Sequence, residues 1–296
     1  MKTDIGAVLR VAGVAVTAGA VLTAGPLSAA AQADTPGPPT IAAKGGFVMN
    51  NGTGRTLFAK SADKRLPTGS TAKIMTARVV LAQRNLNLDA KVTVQKAYSD
   101  YIVAKTASSA RLIVGDKVTV RQLLYGLMLP SGCDAAYALA DKFGSGPTRA
   151  KRVQSFIGRM NATARTLGLR NTHFDSFDGI GNKANYSTPR DLTKLASDAM
   201  RYPLFRTVVK TRSTKQKVTT RNNGYRYMAW TNTNPLLGTY AGTIGIKTGS
   251  GPEAKYCLVY AATRGGRTVI GTVLASTSQA NRAADARKTL DHGFKK

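Results

Sequence analysis

The spacing of apolar residues changes twice along this chain, from strand-like alternation to helical spacing and back again. Two short apolar runs within residues 46–58 flank the turn-forming residues 50–54, which predicts a β-hairpin. Farther along, apolar residues recur three and four positions apart, which predicts a helix with one buried face that begins at about Ser70. These apolar residues are Ile74, Met75, Val79, Val80 and Leu81.

The middle of the chain is predicted to be mainly helical. Thr119 and Gln122 have the spacing of a capping box and are followed by an apolar run, so a helix is expected from there to Pro130. Thr188 followed by Pro189 predicts the start of another helix. The helix that starts at Thr188 is expected to cover residues 188–201, and further helices are expected at residues 134–143 and 151–167. Strand-like patches are found at residues 92–94 and 112–114.

Strand patterns return near the C-terminal end. They cover residues 243–247, 255–263 and 267–276, and a closing helix is expected at residues 279–294. Strands at both ends with helices between them imply one sheet assembled from the two termini. The predicted fold class is therefore α/β, of the α+β kind. The sheet with its flanking helices comes from residues 40–81 and 240–296, and a mostly helical subdomain comes from residues 82–239.

The N-terminal residues have the pattern of a secretory signal peptide. Lys2 and Arg10 supply positive charge, residues 11–22 are apolar, and Ala31-Gln32-Ala33 offers a small-x-small cleavage site. The apolar stretch is short for a membrane span, so cleavage is favoured over a membrane anchor. We expect a signal peptide at residues 1–33, a proline-rich linker at 34–39, one domain at 40–296, and an exported protein without an anchor.

The composition is strongly basic and poor in cysteine. The net charge is +28, which suggests anionic wall polymers or acidic lipid as electrostatic partners, whereas export disfavours nucleic acid. Two cysteines cannot supply a disulfide scaffold or a four-ligand zinc site. We therefore expect no metal. We also expect no cofactor, and a monomer.

Candidate nucleophiles come from Ser-x-x-Lys sequences, of which the chain has two. Ser61 with Lys64 lies in a polar stretch, whereas Ser70 with Lys73 opens the predicted amphipathic helix, where residues three apart share a face. Lys73 can then reach the Ser70 hydroxyl. Taken alone, this pair is more typical of a helix cap beside a solvated lysine.

Two further motifs follow in a fixed order. Ser131-Gly132-Cys133 lies on a predicted turn between helices, and Lys247-Thr248-Gly249-Ser250 lies at the end of a predicted strand. Each alone is weak, because the first is also typical of a helix-connecting turn and the second of a strand-edge charge. The order Ser-x-x-Lys, Ser-Gly-x, Lys-Thr-Gly, each on its expected element, is much more specific.

The ordered motifs resemble those of serine penicillin-recognising enzymes, and the whole chain after residue 33 resembles the low-molecular-mass penicillin-binding proteins that act as D-alanyl-D-alanine carboxypeptidases. Within that family it is most similar to an actinobacterial DD-transpeptidase that also carries Ser-Gly-Cys. The resemblance implies the fold shared by serine β-lactamases and penicillin-binding transpeptidases. Other segments that look like family signatures are residues 73–76, 127–132, 186–192 and 246–249.

The resemblance also implies an activity and its catalytic residues. The substrate would be a peptidoglycan stem peptide ending in D-Ala-D-Ala, and β-lactam antibiotics would act as covalent inhibitors. Ser70 would attack the carbonyl of the penultimate D-Ala and form an acyl-enzyme, and Lys73 would accept its proton. Ser131 would relay a proton to the departing D-Ala. Water or an amine would then release the acyl group, so the balance between carboxypeptidase and transpeptidase activity stays open.

The same resemblance assigns the substrate-binding residues. Lys247, with the hydroxyls of Thr248 and Ser250, would bind the terminal carboxylate, Gly249 belongs to the same motif, and Ser250 would share the oxyanion hole with the N–H of the nucleophile. Cys133 departs from the family pattern, which usually has Asn. A thiol is a weak donor and a weak acceptor, so we expect slow hydrolysis and relatively favoured aminolysis.

Three alternative functions can be weighed against this one by the residues that each of them requires. A class A β-lactamase needs a deacylating Glu between the second and third motifs, but the one Glu in the chain is Glu253, after the third. A Ser-His-Asp hydrolase is poorly supported, since the histidines are His173 and His292 and no Gly-x-Ser-x-Gly elbow is present. A non-catalytic cationic wall-binding module would explain charge and export but not the ordered motifs.

Overall fold

The computed structural model describes residues 9–15, 37–181 and 184–296. Residues 1–37 and 38–296 form two separate units. In the first, residues 9–15 have no regular secondary structure. Most of the predicted signal peptide and linker lies outside the described residues, so cleavage stays a prediction. Within the described ranges, no helix is both long enough and apolar enough to span a membrane.

The strands of the described part, in chain order, are β1 (Gly45–Asn50), β2 (Thr56–Lys60), β3 (Leu66–Pro67), β4 (Lys91–Thr93), β5 (Lys117–Thr119), β6 (Tyr186–Ser187), β7 (Ser213–Thr219), β8 (Tyr225–Thr231), β9 (Thr243–Gly251), β10 (Lys255–Arg264) and β11 (Arg267–Ser276). The α-helices are α1 (Lys73–Leu81), α2 (Lys96–Lys105), α3 (Val120–Met128), α4 (Cys133–Phe143), α5 (Arg149–Thr166), α6 (Pro189–Ala199), α7 (Pro203–Lys210) and α8 (Gln279–Lys295). A short 3₁₀ helix, Gly69–Ala72, precedes α1.

The main sheet joins the two ends of the domain, as the sequence predicts. Its order is β2-β1-β11-β10-β9, and all neighbouring strands are antiparallel. The predicted N-terminal hairpin is β1 with β2, and the C-terminal strand pattern is β9 to β11. Strand β9 is at one edge of this sheet, so one side of its backbone is free to pair with something else.

The two faces of the main sheet are covered by different helices. Because side chains alternate along a strand, Leu258 and Tyr260 of β10 pack with Leu290 of α8 in one buried cluster. Val259 and Ala261 face the other way and belong to the larger core that contains the other helices of the domain. The sheet is thus buried on both sides, which explains the continuous apolar sequence of β10.

The middle of the chain is mostly helical, but it also contains a four-stranded sheet in the order β4-β5-β7-β8. The strand predicted at residues 112–114 is wrong, since those residues have no regular structure and β5 begins at Lys117. Strands β7 and β8 were not predicted from the sequence. The outward face of β7 is polar, with Lys215 and Lys217 exposed, so β7 shows little apolar alternation.

Both predicted N-terminal caps are confirmed. The Thr119 hydroxyl accepts from the N–H of Gln122 at 3.2 Å, and the Gln122 side chain accepts from the N–H of Thr119 at 2.9 Å, which completes a capping box. The Thr188 hydroxyl accepts from the N–H of Asp191 at 3.0 Å, and Pro189 is the first residue of α6. Helices α2 and α7 were not predicted.

Candidate active site

The two serines with Ser-x-x-Lys spacing lie in different surroundings. Ser61 and Lys64 are exposed on a turn after β2. Ser70 lies in the 3₁₀ helix and Lys73 is the first residue of α1, so the α-helix begins three residues later than the sequence predicts. In a 3₁₀ helix residues i and i+3 eclipse each other, and Nζ of Lys73 lies 2.9 Å from Oγ of Ser70.

The amine of Lys73 is fully buried and is held from three directions. Besides the Ser70 hydroxyl, Nζ donates to the main-chain oxygen of Asp178 at 3.0 Å and contacts Sγ of Cys133 at 3.3 Å. These three neighbours surround the amine nitrogen. The amine is therefore fixed against the serine rather than free to move.

The acceptor loop around Asp178 is a part of the site that sequence reasoning missed. Asp178 is fully buried, and its carboxylate accepts from the Tyr101 hydroxyl at 2.9 Å and from the N–H of Ile180 at 2.9 Å. Burial, and then the Asp178 charge, raises the pKa of Tyr101, so its hydroxyl remains a donor. No spacing in the polar segment around Asp178 indicates that its carbonyl contacts Lys73.

The second motif places Ser131 and Cys133 on opposite sides of a tight turn. Ser131 has a positive φ of 66°, is mostly buried, and its Oγ has no hydrogen-bond partner among the described residues. The Ser131 carbonyl accepts from the Ser108 hydroxyl at 2.6 Å, and the N–H of Cys133 donates to the Ser108 carbonyl at 2.8 Å. Segment 107–110 therefore supports this turn, which the motif alone does not reveal.

The thiol of Cys133 is fully buried against the Lys73 amine. Burial raises the pKa of this thiol, although the neighbouring Lys73 charge acts in the opposite direction. The sulfur is therefore a neutral thiol near neutral pH. Cys133 and Cys257 are both buried and both free.

Asp134, next to the motif, holds the supporting segment in place. Its carboxylate accepts from the Ser109 hydroxyl at 2.7 Å and from the N–H groups of Ala110 at 2.8 Å and Leu112 at 3.1 Å. Asp134 is in the first turn of α4, where the helix dipole favours a negative charge. This second residue missed by sequence reasoning fixes the backbone on which Ser131 depends.

The third motif lies on edge strand β9. Lys247 is buried, and its Nζ donates to the main-chain oxygen of Thr248 at 3.0 Å. Burial, followed by the charge of Lys73, lowers the pKa of Lys247 well below the ordinary lysine value. The Thr248 hydroxyl pairs with the Thr233 hydroxyl at 2.6 Å. Lys247 thus places its buried amine directly behind Thr248.

Two glycines let β9 approach Ser70 closely. A Cβ atom on Gly249 would lie 2.7 Å from the carbonyl oxygen of Thr68. A Cβ atom on Gly69 would lie 3.0 Å from the backbone nitrogen of Ser250, and Gly69 has a φ of +49°. Any larger residue at position 249 would push β9 away from the turn at Thr68. Glycine is therefore required at this motif position for steric reasons.

The three motifs meet at one cavity of about 590 Å³. Ser70, Ser131, Thr248 and Ser250 line it, and so does Arg282 of α8. Arg282 is only 7% exposed, its Nε has no partner among the described residues, and burial lowers its pKa. The sequence gives no motif around Arg282, so only the fold reveals this second cation at the cavity.

A model of the D-alanyl-D-alanine carboxypeptidase family, Peptidase S11, matches residues 32–278 of the chain. The chain belongs to this family. It is 68% identical to the D-alanyl-D-alanine carboxypeptidase of Streptomyces sp. strain K15 over 96% of this chain and 98% of that protein. It is 30% identical to DacF of Bacillus subtilis, of which it spans 62%.

Solved structures agree with this membership. The crystal structure of the Streptomyces K15 DD-transpeptidase matches with a TM-score of 0.87 and 72% identity, over 88% of this chain and 99% of that one. The D-alanyl-D-alanine carboxypeptidase DacD from Francisella tularensis matches with a TM-score of 0.77 and 26% identity, over 88% of this chain and 72% of that one. The expected family and fold class are thus confirmed, and the chain is an enzyme of the D-alanyl-D-alanine carboxypeptidase family.

Proposed function

We propose that this enzyme cleaves the terminal D-Ala from peptides ending in D-Ala-D-Ala through an acyl-enzyme on Ser70. The observation that carries the proposal is the contact of 2.9 Å between Oγ of Ser70 and the amine of fully buried Lys73, beside a cavity with a buried cation on its wall. The family acts on D-Ala-D-Ala peptidoglycan substrates and is a β-lactam target, which agrees with this chemistry.

Acylation begins with proton transfer from Ser70 to Lys73. A neutral amine keeps two N–H donors, which suit Asp178 and Cys133, and directs its lone pair to the Ser70 hydroxyl. During this transfer Oγ of Ser70 bonds to the carbonyl carbon of the penultimate D-Ala.

The oxyanion is stabilised by backbone N–H groups. The N–H groups of Ser70 and Ser250 are the candidates, because Gly69 brings the Ser250 nitrogen next to the nucleophile turn. Ser131 passes the proton from Lys73 to the amine of the departing D-Ala as the C–N bond breaks. Its Oγ, which lines the cavity without a partner in the described part of the protein, supports this role.

The terminal carboxylate of the substrate is bound at the other end of the cavity. The hydroxyls of Thr248 and Ser250 and the guanidinium of Arg282 line this region. Lys247 is 1% exposed, so it acts on the carboxylate mainly as a positive charge behind Thr248. Arg282 supplies the direct charged hydrogen bond that the family resemblance assigns to Lys247.

The proposal is tested by covalent labelling with a fluorescent penicillin, followed by mass spectrometry of the intact protein. The wild-type enzyme is expected to gain one adduct, and Ser70→Ala is expected to lose it. Ser61→Ala is the matched control, because it removes the serine of the other Ser-x-x-Lys sequence, and it should label normally. An enzyme that forms no adduct, or an adduct that disappears in Ser61→Ala, contradicts the proposal.

The fate of the acyl-enzyme depends on Cys133. An Asn at this position offers an amide oxygen, which is a stronger acceptor for Lys73 than a thiol. We expect Cys133→Asn to raise the ratio of hydrolysis to transfer, measured by product partition from a D-Ala-D-Ala donor with and without an amine acceptor. Cys133→Ala separates loss of the thiol from gain of the amide. An unchanged ratio in Cys133→Asn contradicts the expectation.

Export completes the proposal. We expect the enzyme to act outside the cytoplasmic membrane after removal of residues 1–33, with the domain beginning near residue 40. The support for export is the signal-peptide pattern of residues 1–33 in the sequence. N-terminal sequencing of the protein recovered from culture medium or cell envelope should begin near Asp34. An intact N-terminus starting at Met1 contradicts processing.

A further inference from the structure

A basic cavity lies beside β4, the start of α2, the end of α4 and the start of α5, and it shares no wall residue with the active-site cavity. Its volume is about 530 Å³. Its charged wall residues in the described part of the chain are Lys91, Lys142, Arg149, Arg152 and Asp141. We infer that this cavity binds a phosphate dianion, as free phosphate or as the phosphate group of a monoester.

The charges on the wall of the basic cavity are unbalanced. Four cations face one carboxylate among the described residues, which leaves three positive charges in excess. Of these cations, Lys91 and Lys142 are exposed. Arg149 and Arg152 are partly buried and belong to the first four residues of α5, whose first turn has no acidic side chain. The positive end of the α5 dipole adds to the excess, so an anion bound here reduces repulsion among these groups.

Asp141, the carboxylate on the wall, orients the two arginines. It is buried, and it accepts from Nε of Arg149 at 3.0 Å, from Nε of Arg152 at 2.6 Å and from the Tyr98 hydroxyl at 2.8 Å. Burial acts to raise the pKa of Asp141, but these hydrogen bonds lower the pKa overall, so the carboxylate stays charged. A buried carboxylate that holds arginine side chains in this way fixes the direction of their remaining N–H groups.

The remaining N–H groups of these arginines are available to a ligand. Within the described ranges, neither terminal nitrogen of Arg149 donates a hydrogen bond, and Nη1 of Arg152 donates none. A guanidinium presents its N–H donors in one plane, which matches the spacing of phosphate oxygens. A phosphate group is only a few times larger than a water molecule, whose volume is about 30 Å³, so the cavity accommodates it together with water. A dianion offsets more of the positive excess than a monoanion does.

The test is calorimetric titration of the enzyme with inorganic phosphate, glycerol 3-phosphate and dimethyl phosphate, at about pH 8 and about 0.15 M sodium chloride. The first two ligands are mainly dianions at this pH, whereas the third is a monoanion. The double variant Lys91→Gln, Lys142→Gln removes two exposed charges from the wall and leaves the contacts of Asp141 in place. The matched control is Lys64→Gln, Lys210→Gln, which removes the same charge from exposed positions outside the cavity.

Wild-type enzyme should bind both dianions, and it should bind dimethyl phosphate more weakly. The Lys91→Gln, Lys142→Gln variant should raise the Kd for inorganic phosphate about 4- to 25-fold, since each exposed ion pair contributes about two- to fivefold. The control should keep the wild-type Kd, because distant charges are screened beyond about 8 Å at this salt concentration. In the wild type, phosphate should also shift the NMR signals of the Nε–H groups of Arg149 and Arg152.

The order of affinities identifies the source of the phosphate. Tighter binding of glycerol 3-phosphate than of inorganic phosphate supports a monoester as the ligand, and the reverse order supports free phosphate. Wild-type enzyme that binds neither dianion, or that binds dimethyl phosphate equally well, overturns the inference. An equal rise in Kd in the two double variants also overturns it, because the attraction would then belong to the overall charge. Penicillin acylation should be the same in all three proteins, and its loss in the wild type would contradict the peptidase reaction instead.

Discussion

Two lysine side chains, Lys73 and Lys247, lie inside the protein with neutral groups as their hydrogen-bond partners in the described part of the chain. These partners are a hydroxyl, a thiol and main-chain carbonyls. Moving an ammonium group from water into such surroundings costs free energy unless it becomes neutral or is paired. The proposed mechanism needs this arrangement, because it uses Lys73 as a base and Lys247 as a cation at one site.

The free energy of unfolding should therefore depend on pH through Lys247. Its pKa is lowered in the folded protein, so between that value and the unfolded value of about 10.4 the unfolded chain binds one more proton. Stability from this group rises with pH across that window and levels off above it. Urea unfolding at a series of pH values should show this component in the wild type and not in Lys247→Met.

Other groups oppose this trend equally in both proteins. Burial raises the pKa of Cys257 to about 11, so ionisation of that thiol lowers stability in alkaline solution. The difference between the wild type and Lys247→Met cancels this contribution. If the two proteins show the same slope of unfolding free energy against pH, the assignment of a lowered pKa to Lys247 is wrong.

Tyr101 positions the loop that holds the Lys73 amine. Tyr101→Phe keeps the ring packed on Tyr137 and Phe177 but removes the hydroxyl that donates to Asp178. Loss of one donor to a buried carboxylate should cost about 1–3 kcal/mol of unfolding free energy. Acylation by penicillin should also slow, because the Asp178 carbonyl that holds Lys73 belongs to the same loop.

Tyr227→Phe is the matched control for this change. Tyr227 is on the solvent side of β8 and is 53% exposed, so loss of its hydroxyl should alter stability by less than about 0.5 kcal/mol. Denaturant unfolding and stopped-flow acylation measure both effects. Equal results for the two variants would show that the Tyr101 hydroxyl does not support the site.

At the scale of secondary structure, the site depends on contact between β9 and the 3₁₀ helix that carries Ser70. Gly249→Ala would place a methyl group 2.7 Å from the Thr68 carbonyl oxygen and 3.0 Å from a Thr71 methyl group. Overpacking of this kind typically costs about 1–3 kcal/mol. We expect lower stability and a larger loss in acylation rate, since the Ser250 N–H moves away from the nucleophile.

Gly158→Ala tests whether any glycine replacement has this effect. Gly158 is exposed in α5, and a Cβ there would meet no atom within 4 Å. The change should stabilise the protein by about 0.5–1 kcal/mol, because alanine favours the helix. Thermal unfolding and penicillin acylation of both variants separate the steric effect. Wild-type acylation by Gly249→Ala would rule out the proposed dependence on close approach.

The parts of the site that the sequence predicts are those encoded by short spacings. Ser70 and Lys73 are three residues apart, so local helical geometry alone brings them together. Asp178 meets Lys73 across 105 residues, and Arg282 reaches the cavity from the C-terminal helix. Such contacts depend on how distant elements pack, which no local pattern specifies.

The helices and strands that were predicted also carry local sequence signals, whereas the strands β7 and β8 that were missed do not. The core strands β9 to β11 have apolar sequences and were found, and Thr119 and Thr188 indicate their helices through cap chemistry. The hairpin of β7 and β8 is mostly solvent-facing on one side, with Tyr225 and Tyr227 exposed. Its register comes from pairing between strands, so its sequence lacks a clear apolar period.

At the scale of the whole molecule, the net charge of +28 should dominate contact with anionic surfaces. The basic residues are spread along the chain, so the attraction is a general field rather than one site. With two histidines in the chain, this charge changes little between about pH 6 and about pH 8. Binding to an anionic wall should therefore depend on salt far more than on pH.

We expect the protein to sediment with vesicles that contain an anionic phospholipid at low ionic strength and to be released by about 1 M salt, where the Debye length falls to about 3 Å. Vesicles of zwitterionic lipid are the control and should bind little protein under either condition. The same release should occur from isolated cell envelopes. Retention on vesicles at about 1 M salt would require apolar attachment. That result would contradict a purely electrostatic association between this enzyme and the anionic membrane surface.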